Sequence, residues 1–381
     1  MQVLHICSYY IGNKLYSNLV KQLSFRNGLN QKIYIPIRDN KHFKLNQLPD
    51  KFFSVEYFYS NILNKFDRYL YFRKITKQMK DIEKKINPIG NIDFIHAHTV
   101  FSDGGTAYKL YKRYGINYIV NVRNSDINFF YKFGIHLRPF MYKILLNAQS
   151  IVFISVAYKE RLLSLLPSAL VKKIENKCIV VPNGIDEFWY SNRIKESKKR
   201  NPSKIKLLFM GKIDKNKNLI NVIHASKLLV DKGYQVSLHV LGDGPMEEKC
   251  KELCNTLGVS NNVTFYGYVN DKELISSIMD KSDVLVLPSF RETFGLVYIE
   301  AMTRGLPVIY SKGQGIDGLF NSGMEVGFPV NPYEKLSIVE SIQNIILRYD
   351  ELSQNCIKES LPFSWVKTAD KYYELYSHKD L

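Results

Sequence analysis

Cysteine is scarce in this chain of 381 residues, and what there is does not pair by pattern. Cys7, Cys178, Cys250, Cys254 and Cys356 make an odd, scattered set of five. Such a set excludes a disulfide framework. Cys250 and Cys254 have a helix-face spacing rather than a Cys-x-x-Cys, and no histidine pair accompanies them. Reduced thiols in a cytoplasmic setting, with no zinc site, are therefore expected. Long hydrophobic runs are also missing. None approaches the roughly 18 apolar residues of a membrane-spanning helix. The start, "MQVLHICSYY", has no basic region before a long apolar core, so it reads as a first strand and not as a signal peptide. Repeats and low-complexity tracts are absent, as is any Asp-x-Asp metal motif.

Acid is scarce in the first half alone. Residues 1–180 hold 28 Lys and Arg against 11 Asp and Glu, whereas residues 181–381 hold 25 of each. The whole formal charge of +17 therefore lies in the first half. That asymmetry points to an anionic partner: a membrane surface, a phosphorylated substrate or nucleic acid. A lysine-rich composition kept for solubility would give the same count. Aromatics are plentiful, with 26 Tyr and 22 Phe, and can fill a large core.

Short apolar runs alternate with amphipathic stretches along the chain. "MQVLHICS", "KIYIPI", "FIHAH", "YIVNV", "SIVFIS" and "CIVVP" read as strands in the first half. "KLLFMG", "SLHVLG", "VTFYG", "VLVLPS" and "GLPVIYS" do so in the second. Apolar strands separated by helices imply parallel sheets covered on both faces, here twice. The expectation is an α/β protein of two doubly wound, Rossmann-like domains. Residues 1–182 form the first, 183–203 a linker that opens on the Pro182–Gly184 turn, 204–362 the second. Residues 363–381 form a last helix that can cross back to the first domain. Open α/β sheets bind ligands beyond the carboxyl ends of their strands.

The stretch "RETFGLVYIE" follows the buried strand "VLVLP". The loop ends where a helix begins, so Phe294, Gly295 and Leu296 bring backbone N–H groups to a helix N-terminus, an anion site. Gly295 allows close approach of a ligand to the backbone. Glu292 precedes that terminus and Glu300 lies inside the helix. A carboxylate accepts hydrogen bonds at both oxygens, which suits a vicinal diol. A nucleoside diphosphate sugar would fit: ribose at Glu300, phosphates at the helix start, sugar at Glu292. Read alone, Glu292 is equally a capping acid and Glu300 a solvated helix residue. "FMGKIDKNKN" adds Lys212 and Lys217 in a carboxyl-end loop, placed to neutralise a diphosphate leaving group. "VTFYGYV" ends a strand at Val269, whose backbone can pair with a base edge.

Together "VPNGID", "FMGKIDKNKN", "LHVLGDGP", "VTFYGYV" and "SDVLVLPSFRETFGLVYIEAMTRGLPVI" resemble the retaining family-4 glycosyltransferases of the GT-B fold. The resemblance implies a ribose-binding Glu300 and sugar or phosphate contacts from Glu292 and the amides near Gly295 and Leu296. It also implies a phosphate-binding Lys217 and Lys212 where the family usually has arginine. In the first half, "HICSYYIGNKL" resembles the family's glycine loop, placing Gly12 near the phosphates. "FIHAH" resembles its His-x-His strand end, with His96 and His98, of which His98 either faces the cleft or is a core histidine. "NVRNSD" aligns Arg123 and Asp126 with a run that often reads His-Gly-x-Asp. Arg123 suits an acidic sugar or another anionic group, or else pairs with Asp126.

The implied activity is transfer of a sugar, with retention, from a nucleoside diphosphate sugar to a hydroxyl of a glycan or polyprenyl-diphosphate-linked acceptor. No metal and no other cofactor is expected. Glu292, Arg123, Asp126 and His98 are the candidate catalytic residues. Phe66, Leu70, Ile75, Met79 and Ile82, among lysines and arginines, suggest a basic amphipathic segment for an anionic membrane, or a helix packed on the sheet. A cytoplasmic enzyme peripheral to the membrane follows, with no nucleic-acid partner. A sugar-nucleotide epimerase, a phosphorylase and a non-enzymatic anion binder are the competing readings.

Overall fold

The computed structural model describes residues 1–197 and 204–377. It divides into two compact units. One comprises residues 1–154, 159–184 and 365–381; the other comprises residues 155–158 and 185–364.

The first unit is built on a seven-stranded sheet. Its strands are β1 Gln2–Ile6, β2 Asn30–Ile37, β3 Val55–Asn61, β4 Phe94–Ala97, β5 Tyr118–Val122, β6 Ser150–Phe153 and β7 Cys178–Val180. All pairs are parallel, in the order β3-β2-β1-β4-β5-β6-β7. Strands β4, β5 and β6 are buried at every position, the signature of a sheet covered on both faces. One face is covered partly by the chain's last helix. Trp365, Ala369, Tyr372, Leu375 and Tyr376 are buried against Val3, Leu19, Leu23, Phe94 and Ile119. Arg26 pairs with Asp370 at 2.7 Å, and a Cβ at Gly184 would stand 2.4 Å from the Trp365 nitrogen. Glycine at 184 is what admits that helix so closely.

The second unit carries a six-stranded parallel sheet. Its strands are β8 Lys204–Met210, β9 Gln235–Leu241, β10 Val263–Phe265, β11 Val284–Val286, β12 Val308–Ser311 and β13 Gly327–Val330. Their order is β10-β9-β8-β11-β12-β13. In both sheets the chain starts in the middle, winds outward, and returns to wind the other way. The strand order therefore reverses between β1 and β4 in the first unit and between β8 and β11 in the second. At those points adjacent loops part and leave a crevice at the carboxyl ends.

Two expectations need adjustment. Residues 185–197 are not a free linker: they fold into the second unit, with a helix over Glu187–Ser191 and a buried Trp189. Residues 198–203 of the expected linker lie outside the described residues. The apolar stripe of "NKFDRYLYFRKITKQMKDIEKK" is also divided. Ile75, Met79 and Ile82 lie on the Tyr71–Lys85 helix and are buried, whereas Phe66 and Leu70 precede that helix and are exposed. The stripe is core, and the exposed apolar side chains sit at its amino end. Among the described residues no helix is long and apolar enough to cross a membrane.

Candidate functional site

In the second unit the loop after β8 and the loop after β11 meet across the reversal point. Lys217 Nζ lies 2.5 Å from Glu292 Oε2, and both side chains are largely buried. Glu292 Oε1 accepts from the Thr293 amide at 3.1 Å. The Glu292 backbone is held too: its N–H donates to Gln314 Oε1 and its carbonyl accepts from Gly315. Two residues 75 positions apart in sequence are thus one ion pair in a fixed frame.

Gly295 caps the Leu296–Thr303 helix in the left-handed region, at φ +81°. A Cβ there would also stand 2.5 Å from the Tyr298 ring, so glycine is required by the fold itself. Phe294 turns its ring inward, against Phe363. What it offers outward is backbone. The amides of Phe294, Gly295 and Leu296 make no hydrogen bond to another described residue, and no side chain caps this end. These orphan donors and the helix dipole attract an anion.

Glu300 is part-buried on the same helix. Burial, and secondarily the Asp186 carboxylate, push its carboxyl up to about 7, while Lys272 opposes the shift. Asp186 and Lys272 pair at 2.7 Å. A carboxylate kept dehydrated beside a second acid is poised to accept hydrogen bonds from a ligand.

A pocket of about 340 Å³ opens at the ends of β8, β9 and β10. Lys212 and Val269 border it, with Gly211, Gly242, Tyr268 and Ile275. Gly242, at φ +136°, lies so close to Gly211 that a Cβ would overlap the Gly211 carbonyl. The paired glycines keep this floor flat. Lys212 is exposed at the rim.

In the first unit the site residues divide differently. Gly12 lies exposed in a turn, where a Cβ would meet nothing within 4 Å. Its own unit does not need glycine there. Asp126 is not open to a ligand: it is fully buried, and its carboxylate accepts from the amides of Val100, Phe101 and Arg123. Burial pushes it up to about 6. It fixes the ends of two loops. The Arg123 guanidinium pairs with no acid among the described residues. It lies over the Tyr16 ring, with a buried Nε that has no partner. The proposed Arg123–Asp126 ion pair is therefore absent, because backbone amides have taken the carboxylate.

His98 is buried. Its Nε2 is 3.1 Å from His5 Nδ1, and its ring stacks on His96 at 3.9 Å. His96 meets Tyr376 and Asn121, at 2.6 and 3.0 Å. Burial holds all three imidazoles below their ordinary range, His5 at about 3. The sequence reading, which expected no metal, missed that His5 joins this group, whose ring nitrogens lie within 4.8 Å of one another. Both nitrogens of His96 are already engaged. His5 Nε2 and His98 Nδ1 are buried with no hydrogen-bond partner among the described residues.

Residues 191–361 match the family described as glycosyl transferases group 1. The matched residues lie within the second unit. An uncharacterized glycosyltransferase of Methanocaldococcus jannaschii is 26% identical over 59% of this chain and 59% of its own length. The putative glycosyltransferase EpsD of Bacillus subtilis is 29% identical over 45% of each. A Mycobacterium tuberculosis GDP-mannose-dependent phosphatidylinositol dimannoside mannosyltransferase is 22% identical over 50% of each. The chain thus spans about half the length of these curated relatives. The fold likeness is wider. Anabaena HepE in complex with UDP superposes with a TM-score of 0.70 at 18% identity, covering 99% of this chain and 100% of that one. The lipopolysaccharide outer core galactosyltransferase WaaB gives 0.71 at 18% identity, covering 98% of both. The fold is GT-B.

Within the second unit, Asp186, Gln314, Tyr268 and Ile275 join the site without having been singled out from sequence. "VPNGID" carried the signal for Asp186. Gln314 had none, because its role comes only from the return of the chain after β12.

Proposed function

We propose that the protein is a retaining glycosyltransferase that moves a sugar from a nucleoside diphosphate sugar to a hydroxyl of a glycan or lipid-linked acceptor. The observation that carries this reading is the Lys217–Glu292 pair at the strand-order reversal, beside open helix amides and the flat-floored pocket. The base enters the pocket along Val269 and Tyr268. The ribose diol donates to Glu300. The diphosphate takes Lys217, Lys212 and the amides of Phe294 to Leu296. Glu292, released from Lys217, accepts from sugar hydroxyls. HepE, in complex with UDP, has the same fold, which agrees with a nucleotide in this unit.

In the reaction the anomeric carbon–oxygen bond to phosphate breaks as the bond to the acceptor oxygen forms on the same face. The electron pair leaves on the β-phosphate oxygen, and the acceptor proton passes to that departing phosphate. Two lysines and the helix terminus stabilise the developing charge, the task a metal performs elsewhere. The first unit holds the acceptor. Its unpaired Arg123 suits an acidic sugar or another anionic group, and Asp126 sets the loop that bears it. The exposed Phe66, Tyr69, Leu70 and Phe72, among basic residues, suit an anionic membrane surface at the cytoplasmic face.

The test is calorimetric titration of UDP, GDP and ADP, then of their sugar conjugates, into wild type and Glu300→Ala. One nucleotide binding selectively, and at least tenfold more weakly to the variant, is the expected result. No nucleotide binding to folded wild type overturns the reading. Release of free nucleotide in steady state separates transfer from epimerisation.

A further inference from the structure

The first unit has its own crevice at the carboxyl ends of β1, β4 and β5, and the reading above sets its occupant only broadly. Two side chains meet there with their polar ends unused. Arg123 follows β5 and is half-buried. Tyr16 stands in the first turn of the Leu15–Leu23 helix, which follows β1, and is buried. The guanidinium carbon lies 5.6 Å from the centre of the Tyr16 ring. That ring packs edge-on against His98 at 5.1 Å, so the platform under the arginine is itself held. The Arg123 Nε is sealed from solvent without a partner, whereas its two terminal nitrogens are not sealed and bond no described residue. The Tyr16 hydroxyl also bonds no described residue and is not sealed. Two acids lie near the Tyr16 ring, Asp103 and Asp126. Neither forms an ion pair with Arg123, because both are taken up elsewhere. Asp126 accepts from the amides of Val100, Phe101 and Arg123, and Asp103 from the Ser8 amide and hydroxyl and the Thr99 hydroxyl.

A guanidinium drawn partly out of water without a counter-charge is costly to keep. Its place over the Tyr16 ring offsets part of that cost and holds the fork ready for a planar partner. A carboxylate matches the fork with two parallel hydrogen bonds. It brings one negative charge. A phosphate dianion brings two, toward a crevice already bordered by Asp103 and Asp126. The Tyr16 hydroxyl, beside the fork, can meet a neighbouring hydroxyl of the same molecule. A carboxylate with a hydroxyl close by describes an acidic sugar.

We propose that Arg123 and Tyr16 form a carboxylate subsite in the first unit, and that the acceptor is a glycan whose receiving end carries a uronic-type sugar. Arg123 is the specificity residue: its fork takes the carboxylate. Tyr16 positions the fork and takes an adjacent sugar hydroxyl. The subsite rests on the glycosyltransferase reading for its purpose, narrows the anionic group of that reading to a carboxylate, and shares no residue with the nucleotide site of the second unit.

The experiment titrates the full chain, with no nucleotide present, with methyl β-D-glucuronide, methyl β-D-glucoside and glucose 6-phosphate, and reads binding by ligand-detected NMR. Wild type is expected to bind the glucuronide at least tenfold more tightly than either other probe. Arg123→Gln is expected to bring glucuronide binding down to that of the glucoside. Arg123→Lys restores only part of it, since an ammonium keeps the charge and loses the fork. Tyr16→Phe, which keeps the ring under the arginine, is expected to cost several-fold. No glucuronide binding to folded wild type, equal binding of glucuronide and glucoside, or tighter binding of glucose 6-phosphate overturns the proposal. So does a glucuronide preference that survives Arg123→Gln, or, should that variant fail to fold, one that Arg123→Lys leaves at the wild-type level. A wild type that binds no nucleotide sinks the donor reading and leaves the glycoside result standing, so the two failures are distinct.

Discussion

Glu300 shows how a single residue can cost stability and supply function. Its carboxyl is pushed up to about 7 by burial and by Asp186, from an ordinary value of 4.5. The folded state therefore binds the proton more tightly than the unfolded chain does. Stability from this group is full below pH 4.5 and is lost as pH rises through 7. Ligand binding runs the other way, since the ionised form is the better acceptor for a diol. Nucleotide affinity of wild type is expected to rise several-fold from pH 6 to pH 8, measured by calorimetry. Glu300→Gln should flatten that rise, after allowance for the nucleotide's own phosphate titration, and should raise the unfolding temperature at pH 8. A variant as steeply pH-dependent as wild type, or less stable at pH 8, would refute the assignment.

At the scale of elements, two glycines of one expected ligand site have opposite physical standing. Gly295 ends a turn in the left-handed region and faces the Tyr298 ring. Gly295→Ala should destabilise the protein by about 1–3 kcal/mol in urea unfolding, whatever it does to binding. Gly12 has open space and no positive φ. Gly12→Ala should change stability by less than about 0.5 kcal/mol. If Gly12 approaches a ligand, the same change lowers affinity or turnover while stability stays put. A Gly12→Ala protein that unfolds early would show that its turn carries strain the structure does not contain.

For the whole molecule, the last helix decides whether the first unit is complete. It buries Trp365, Tyr372 and Tyr376, and the Tyr372 and Tyr376 hydroxyls bond Asn121 and His96 inside the sheet. Removing residues 365–381 uncovers part of one sheet face and takes away the hydrogen-bond partners of those buried polar groups. The truncated chain is expected to lose cooperative thermal unfolding of the first unit and to bind an exposed-apolar dye. The second unit should retain its own transition. A truncated chain with both transitions intact would contradict this view.

Much of this was legible without coordinates. Parallel strands announce themselves as short runs apolar at every position, because both faces are covered, and "VLVLP" and "YIVNV" are such runs. The helix start at Gly295 is legible for a similar reason: loop, glycine and apolar helix are local in sequence. Residues that meet only through chain return were not legible. His5 joins His96 and His98, Glu292 finds Lys217, and Gln314 holds the Glu292 amide, each across at least 22 positions. Nor could the sequence tell that Asp126 serves backbone amides, leaving Arg123 without an acid partner among the described residues. Local pattern by itself determined which segments become strands and helices, since period and burial act over a few residues. Only the tertiary structure decided which charges are neighbours, because electrostatic partnership depends on distance in space and on how much water has been removed.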